Sequence, residues 1–308
     1  MTTTLVDKIA GRLPAICLYG LVPPRQATPA DRLREIAAHQ AERIEAMDLD
    51  GVIVYDIEEE ADRVETPRPF PFMPVVDPDV YAYRHLARIV PPAIVYRRIG
   101  RDSPETFVRW LSEGGPSDRP RLSVLVGAPT RRTDLRLPLA DAYALAARHA
   151  PDLVLGGIAI AERHARRLDE QRRIIDKTRM GCRFFVTQSV YDVTSTKSLL
   201  SDYALSLTEP PVPIILTFAP CGSEKTLAFM KWLGITFPRW LENELRYSPD
   251  PLATSMKLCE ELFAELWDYA RAKGIPIGVN VESVSIRKAE IEASVELSAL
   301  LRKRMGRS

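Results

Sequence analysis

Short apolar runs recur along the chain with longer amphipathic stretches between them, and that alternation predicts parallel strands joined by crossover helices. Eight runs qualify as strands: Ala15 to Leu21, Gly51 to Asp56, Pro92 to Tyr96, Leu122 to Val126, Leu153 to Ala159, Cys182 to Thr187, Pro213 to Phe218 and Ile275 to Val281. Most are continuous Val/Ile/Leu runs, as expected of strands buried on both faces. Between them, Leu33, Ile36, Ala37 and Ile44 share one helical face, as do Leu139, Tyr143 and Ala146. Thr28-Pro29-Ala30-Asp31 and Ser103-Pro104-Glu105 carry helix-start signals. The pattern predicts an α/β fold: one (β/α)8 barrel over residues 1–308, with two or three extra helices between strands seven and eight, from about Cys221 to Lys273. A doubly wound open sheet also needs alternating strands and helices, but no G-x-G-x-x-G follows any strand. Cys221-Gly222-Ser223-Glu224-Lys225-Thr226 lacks the first glycine of a phosphate loop.

Charge adds little to this picture. The 42 basic and 41 acidic residues nearly cancel, so no global field draws the chain to nucleic acid or a membrane surface. The basic stretches Arg131 to Arg136 and Arg302 to Arg307 read as a solvated loop and a solvated tail. Cys17, Cys182, Cys221 and Cys259 are too widely spaced for a zinc motif, which suits a reducing, cytoplasmic setting. The N-terminus lacks the order of a signal peptide, and no apolar run approaches membrane length. No metal is expected, and a homo-oligomer stays open.

In a barrel, polar residues at the carboxyl ends of strands face the substrate. That selects Tyr19, Asp56, Glu58, Tyr96, Arg97, Glu162, His164, Thr187, Gln188, Asn280 and Glu282. Glu282 stands directly behind a buried run, where it serves either as a general acid or base or as a helix cap. Asp56 with Glu58, Glu59 and Glu60 reads as a hydrated acidic loop before a metal site, since no histidine accompanies it. His164 opens the helix after strand five, either as an anion-holding turn or as a surface residue. The proline-rich stretch from Thr66 to Phe72 follows strand two and forms either a lid, a substrate wall or a rigid connector. No serine has a G-x-S-x-G context, which disfavours acyl transfer.

Leu155-Gly156-Gly157-Ile158-Ala159, Asp169-Glu170, Lys177 and the run from Gly181 to Asp192, with Thr187-Gln188 inside it, resemble the methylenetetrahydrofolate reductase family. Val22-Pro23-Pro24-Arg25, Ala219-Pro220 and Phe237-Pro238-Arg239-Trp240-Leu241 match family positions too. The resemblance implies a (β/α)8 barrel in which NADH or NADPH reduces FAD, and the flavin passes hydride to methylenetetrahydrofolate. It implies that Gln188 contacts the pterin, with Thr187 and Tyr19 beside the substrate. Lys177 would then face the flavin phosphates and Glu170 the flavin ribose, with His164 and Gly127 also on the cofactor side.

The departures from the family pattern are specific. The family's catalytic glutamate falls at Gly20, in Tyr19-Gly20-Leu21-Val22, and its aspartate after strand four falls at Ala128. The usual His and Thr of strand three fall near Ala93 and Val95, and the phenylalanine after strand seven near Glu224. A lost general acid costs about two to four powers of ten in rate. Glu282, or an acid between Asp56 and Glu60, is the expected substitute. A folate-dependent transferase or lyase without flavin, and an inactive folate-binding paralogue, are the competing readings.

Overall fold

A computed structural model describes residues 3–57, 68–100, 102–113, 115, 119–127 and 135–307. Eight parallel strands close in sequence order: β1 (Cys17–Leu21), β2 (Gly51–Val54), β3 (Ala93–Arg98), β4 (Leu122–Val126), β5 (Val154–Ala159), β6 (Phe184–Ser189), β7 (Ile214–Phe218) and β8 (Ile277–Glu282). The expected (β/α)8 barrel is therefore the fold. Period-two alternation divides each strand's residues between two cores. Leu18, Ile53, Ile94, Val124, Phe184, Val186 and Ile215 fill the barrel interior. Leu125, Leu155, Phe185, Leu216 and Val279 pack outward against the helices. The short helix α1 (Leu5–Ala10) adds Leu5 and Ile9 to the interior cluster. It is opened by a reciprocal Thr4/Asp7 capping box.

The outer layer holds α2 (Ala30–Glu45), α4 (Pro104–Glu113), α5 (Leu139–His149), α6 (Ala161–Arg167), α7 (Glu170–Arg179), α8 (Val193–Ser206) and α12 (Lys288–Arg304). After β2, the single turn α3 (Pro78–Val80) runs into a π-helical turn, Tyr81–His85. Between β7 and β8 stand the three helices α9 (Glu224–Trp232), α10 (Arg239–Tyr247) and α11 (Pro251–Ala272), an elaboration of one barrel. Ser103 caps α4 by accepting from the Thr106 N–H at 3.2 Å. At α2 the cap position is Pro29 and makes no side-chain bond.

The basic tail differs from its reading as solvated. Arg302 lies 3.0 Å from Asp48, and Arg307 pairs with both Asp48 and Asp50, so it is pinned beside the amino end of β2. Residues 131–134 of the other basic stretch, Glu58 to Glu60, Thr66, Pro67 and Ala128 lie outside the described residues. Among the described residues no helix is long and apolar enough to cross a membrane.

Candidate functional site at the barrel mouth

The carboxyl ends of the strands surround a cavity of about 490 Å³. Its floor follows from strand alternation. Tyr55 comes two residues after inward-facing Ile53, and Tyr96 two after Ile94, so both phenols point into the mouth. Their rings meet edge to face with centroids 4.8 Å apart. Gly20 and Glu282 are register partners on β1 and β8, at one height on one side of the sheet.

Gly20 is tightly enclosed. A Cβ added there would stand 2.7 Å from Tyr55 Cε2, 3.0 Å from its hydroxyl and 3.2 Å from Glu282 Cβ. The volume that a side chain at position 20 needs is filled by a tyrosine and a carboxylic acid from the two flanking strands. Glu282 accepts from Ser189 Oγ at 3.1 Å and is also bonded by the Tyr55 hydroxyl. Asn280 Nδ2 donates to that hydroxyl at 2.9 Å, leaving the phenol's own hydrogen for the carboxyl group. Burial pushes the Glu282 pKa above its ordinary value, and the Tyr55 and Ser189 bonds offset only part of the rise. A carboxyl group that keeps its proton to higher pH is suited to donating it.

Asp56 also lines the cavity but is committed to Arg98, accepting its backbone N–H at 3.0 Å and pairing with its guanidinium at 2.8 Å. Burial pushes the Asp56 pKa up and the Arg98 charge pulls against it. The described end of the proline-rich stretch is a wall. The Arg68 guanidinium lies over Phe72, Phe229 and Trp232 at 5.2, 5.7 and 5.1 Å, and the Phe229 and Trp232 rings are stacked.

The residues that the resemblance assigns to pterin and flavin are placed elsewhere. β6 changes register between Val186 and Ser189, a bulge that turns Ser189 toward Glu282. Gln188 Nε2 instead donates to the Leu233 carbonyl at 2.7 Å, and Thr187 Oγ1 accepts from the Thr217 N–H at 3.0 Å. Neither side chain lines the cavity. Lys177 donates to the Ile158 carbonyl at 2.9 Å, and burial pulls its pKa down. Glu170 is fully buried, accepting from the Ile160 N–H at 3.0 Å and from the Arg163 guanidinium. His164, read as an anion-holding turn or a surface residue, is fully buried within α6, its Nε2 3.1 Å from Asp202 on α8. Gly127 is at the rim, where an added Cβ would find only Leu139 at 4.0 Å. Glu224 pairs with Arg246 away from the floor. The flavin therefore does not fit this set: the groups meant to hold its phosphates and ribose satisfy the barrel's own backbone and arginines. Replacing Glu170 by Ala is expected to lower stability by about 3–5 kcal/mol, because Arg163 and the Ile160 N–H lose their partner; a urea midpoint equal to wild type would refute that role.

Tyr55 and Ser189 are the site residues that the sequence reading missed. Period two from Ile53 was a sufficient signal for Tyr55; Ser189 depends on the bulge. Among the described residues no group of three or more His, Cys, Asp and Glu is arranged to hold a metal.

Fold and site define a (β/α)8 barrel with an open, aromatic-floored cavity at the carboxyl ends of its strands. A protein from Clostridium thermocellum, described as uncharacterised and as binding two copies of 5-methyl-5,6,7,8-tetrahydrofolic acid, is 42% identical and superposes with a TM-score of 0.86 over 97% of this chain and 99% of that one. At that identity over both full lengths, the chain belongs to the same family as the Clostridium thermocellum protein. An intracellular xylanase from Thermoanaerobacterium saccharolyticum, 12% identical over 89% of each chain with a TM-score of 0.50, shares the fold alone. No family model and no curated protein sequence matches the chain.

Proposed function

We propose that this protein binds a reduced folate at the barrel mouth and acts on it as a methylenetetrahydrofolate reductase-like oxidoreductase, with Glu282 as the proton donor. The observation that carries the proposal is the half-buried, raised-pKa Glu282 carboxyl set against the Tyr55 and Tyr96 floor, in register with the glycine that stands where the methylenetetrahydrofolate reductases that the sequence resembles have their acid. The ligand class is supported by the 42% identical relative that binds 5-methyl-tetrahydrofolate. Flat aromatic walls suit a pterin, and a carboxyl group can meet its ring nitrogens.

The proposed chemistry uses the chain's own acid. A proton from Glu282 to N10 of 5,10-methylenetetrahydrofolate opens the five-membered ring and leaves an N5-methylene iminium. Hydride from reduced nicotinamide then adds to the methylene carbon, giving the N5-methyl product and oxidised nicotinamide. No step is routed through a flavin, because Lys177, Glu170 and His164 are engaged inside the helical shell. The displacement of these contacts also favours a second reading, a folate-binding protein without turnover.

Calorimetry with 5-methyl-tetrahydrofolate and NADH or NADPH oxidation with methylenetetrahydrofolate separate the two. Binding with turnover supports the reductase, binding without turnover supports the second reading, and absence of binding overturns both.

A further inference from the structure

The cavity is not confined to the barrel interior. Its lining continues to Tyr19 and Leu21 of β1, whose side chains face outward, and on to Gln40, Arg43 and Ile291 on α2 and α12. These two helices flank β1 on the outside of the barrel. The crevice between them has β1 as its floor and meets the mouth beside Gly20, where Tyr55 and Glu282 fill the space over the glycine.

The polar groups of the crevice have one character. The Tyr19 hydroxyl is held at 2.8 Å by Ser294 Oγ on α12 and is also bonded by the Arg43 guanidinium from α2. Arg43 is half-buried, and no carboxylate pairs with it among the described residues. Gln40 Oε1 already accepts from the Tyr81 hydroxyl at 2.6 Å, which leaves the amide's N–H groups toward the lining. A guanidinium without a carboxylate, flanked by hydroxyl and amide groups against Leu21 and Ile291, matches a carboxylate at the end of an aromatic or aliphatic stem.

We infer that this outer lobe is a second subsite that takes the benzoyl-glutamate end of a folate, with Arg43 as the anchor for its carboxylates. The inference rests on the folate reading of the mouth but concerns different residues. The carboxylates belong either to the tail of the folate in the mouth or to a second folate molecule.

Calorimetry on the full chain tests it, with 5-methyl-tetrahydrofolate, 5-methyl-tetrahydropterin lacking the tail, and p-aminobenzoylglutamate as separate probes. Arg43→Gln is expected to weaken the tailed ligand about tenfold to a hundredfold, the effect of losing a charge-assisted bond, with the tail-free pterin unaffected. Arg43→Lys retains part of the affinity. Unchanged stoichiometry assigns the carboxylates to the mouth ligand; a fall from two sites to one, with the remaining site unaltered, assigns them to a second molecule. Equal affinity and stoichiometry for wild type and Arg43→Gln overturn the inference. Should wild type bind no folate, the reading of the mouth fails; p-aminobenzoylglutamate binding that Arg43→Gln abolishes would still support the lobe, and its absence in wild type would overturn that as well.

Discussion

Glu282→Gln is expected to reduce turnover of methylenetetrahydrofolate by about two to four powers of ten, since the amide fills the same space and cannot give up a proton to N10. Affinity for 5-methyl-tetrahydrofolate should change much less, because the product needs no proton. Wild-type turnover in the variant would remove Glu282 from the mechanism. The substitution also has a stability signature. Burial raises the carboxyl pKa above its ordinary 4.5, so the folded protein holds this proton more tightly than the unfolded chain does. The group's contribution to stability is full below about 4.5 and is lost as pH rises through the raised folded value. Glu282→Gln should therefore gain stability relative to wild type on going from acid to neutral pH, measured by urea unfolding at a series of pH values. Parallel curves for the two proteins would show that folding does not raise the carboxyl pKa.

The second large effect comes from placing an acid on β1, where the methylenetetrahydrofolate reductases that the sequence resembles carry theirs. Gly20→Glu is expected to destabilise by at least about 3 kcal/mol. Its Cβ alone would stand 2.7 Å from the Tyr55 ring and 3.2 Å from Glu282 Cβ, and overfilling a packed site costs about 1–3 kcal/mol. A second carboxyl group beside Glu282 adds desolvation and repulsion between like charges. The melting temperature should fall by several degrees, at roughly 2–4 °C per kcal/mol for a domain approaching this size. Removing the obstructing ring in Gly20→Glu with Tyr55→Ala should recover part of the loss. A single variant as stable as wild type would show that the mouth can accommodate an acid at position 20, and the steric account of Gly20 would fail.

The barrel was legible in the sequence because buried parallel strands are apolar on both faces, and all eight runs became strands. Their ends were less legible. The run from Cys182 to Thr187 predicted a strand two residues ahead of Phe184–Ser189, since continuous apolar runs carry no internal marker of where pairing starts. At the site, Glu282 and Asp56 were visible as acids behind buried runs, and both line the cavity. Gln188 was not placed by the same logic: the bulge in β6 adds a residue and gives Ser189 the inward position. A bulge is decided by pairing with β7, not by any local pattern in β6. Arg43 had no signal either, because it stands on a helix and not at a strand end, and it joins the cavity lining only in the folded barrel.

A carboxyl group carried on β8 and not on β1 has a geometric consequence. Neighbouring strands of an eight-stranded barrel are separated by roughly 45° around its axis. The Glu282 side chain spans that step, since its Cβ stands 3.2 Å from where a Gly20 Cβ would be. One glycine on one strand thus leaves room for a carboxyl group anchored on the next.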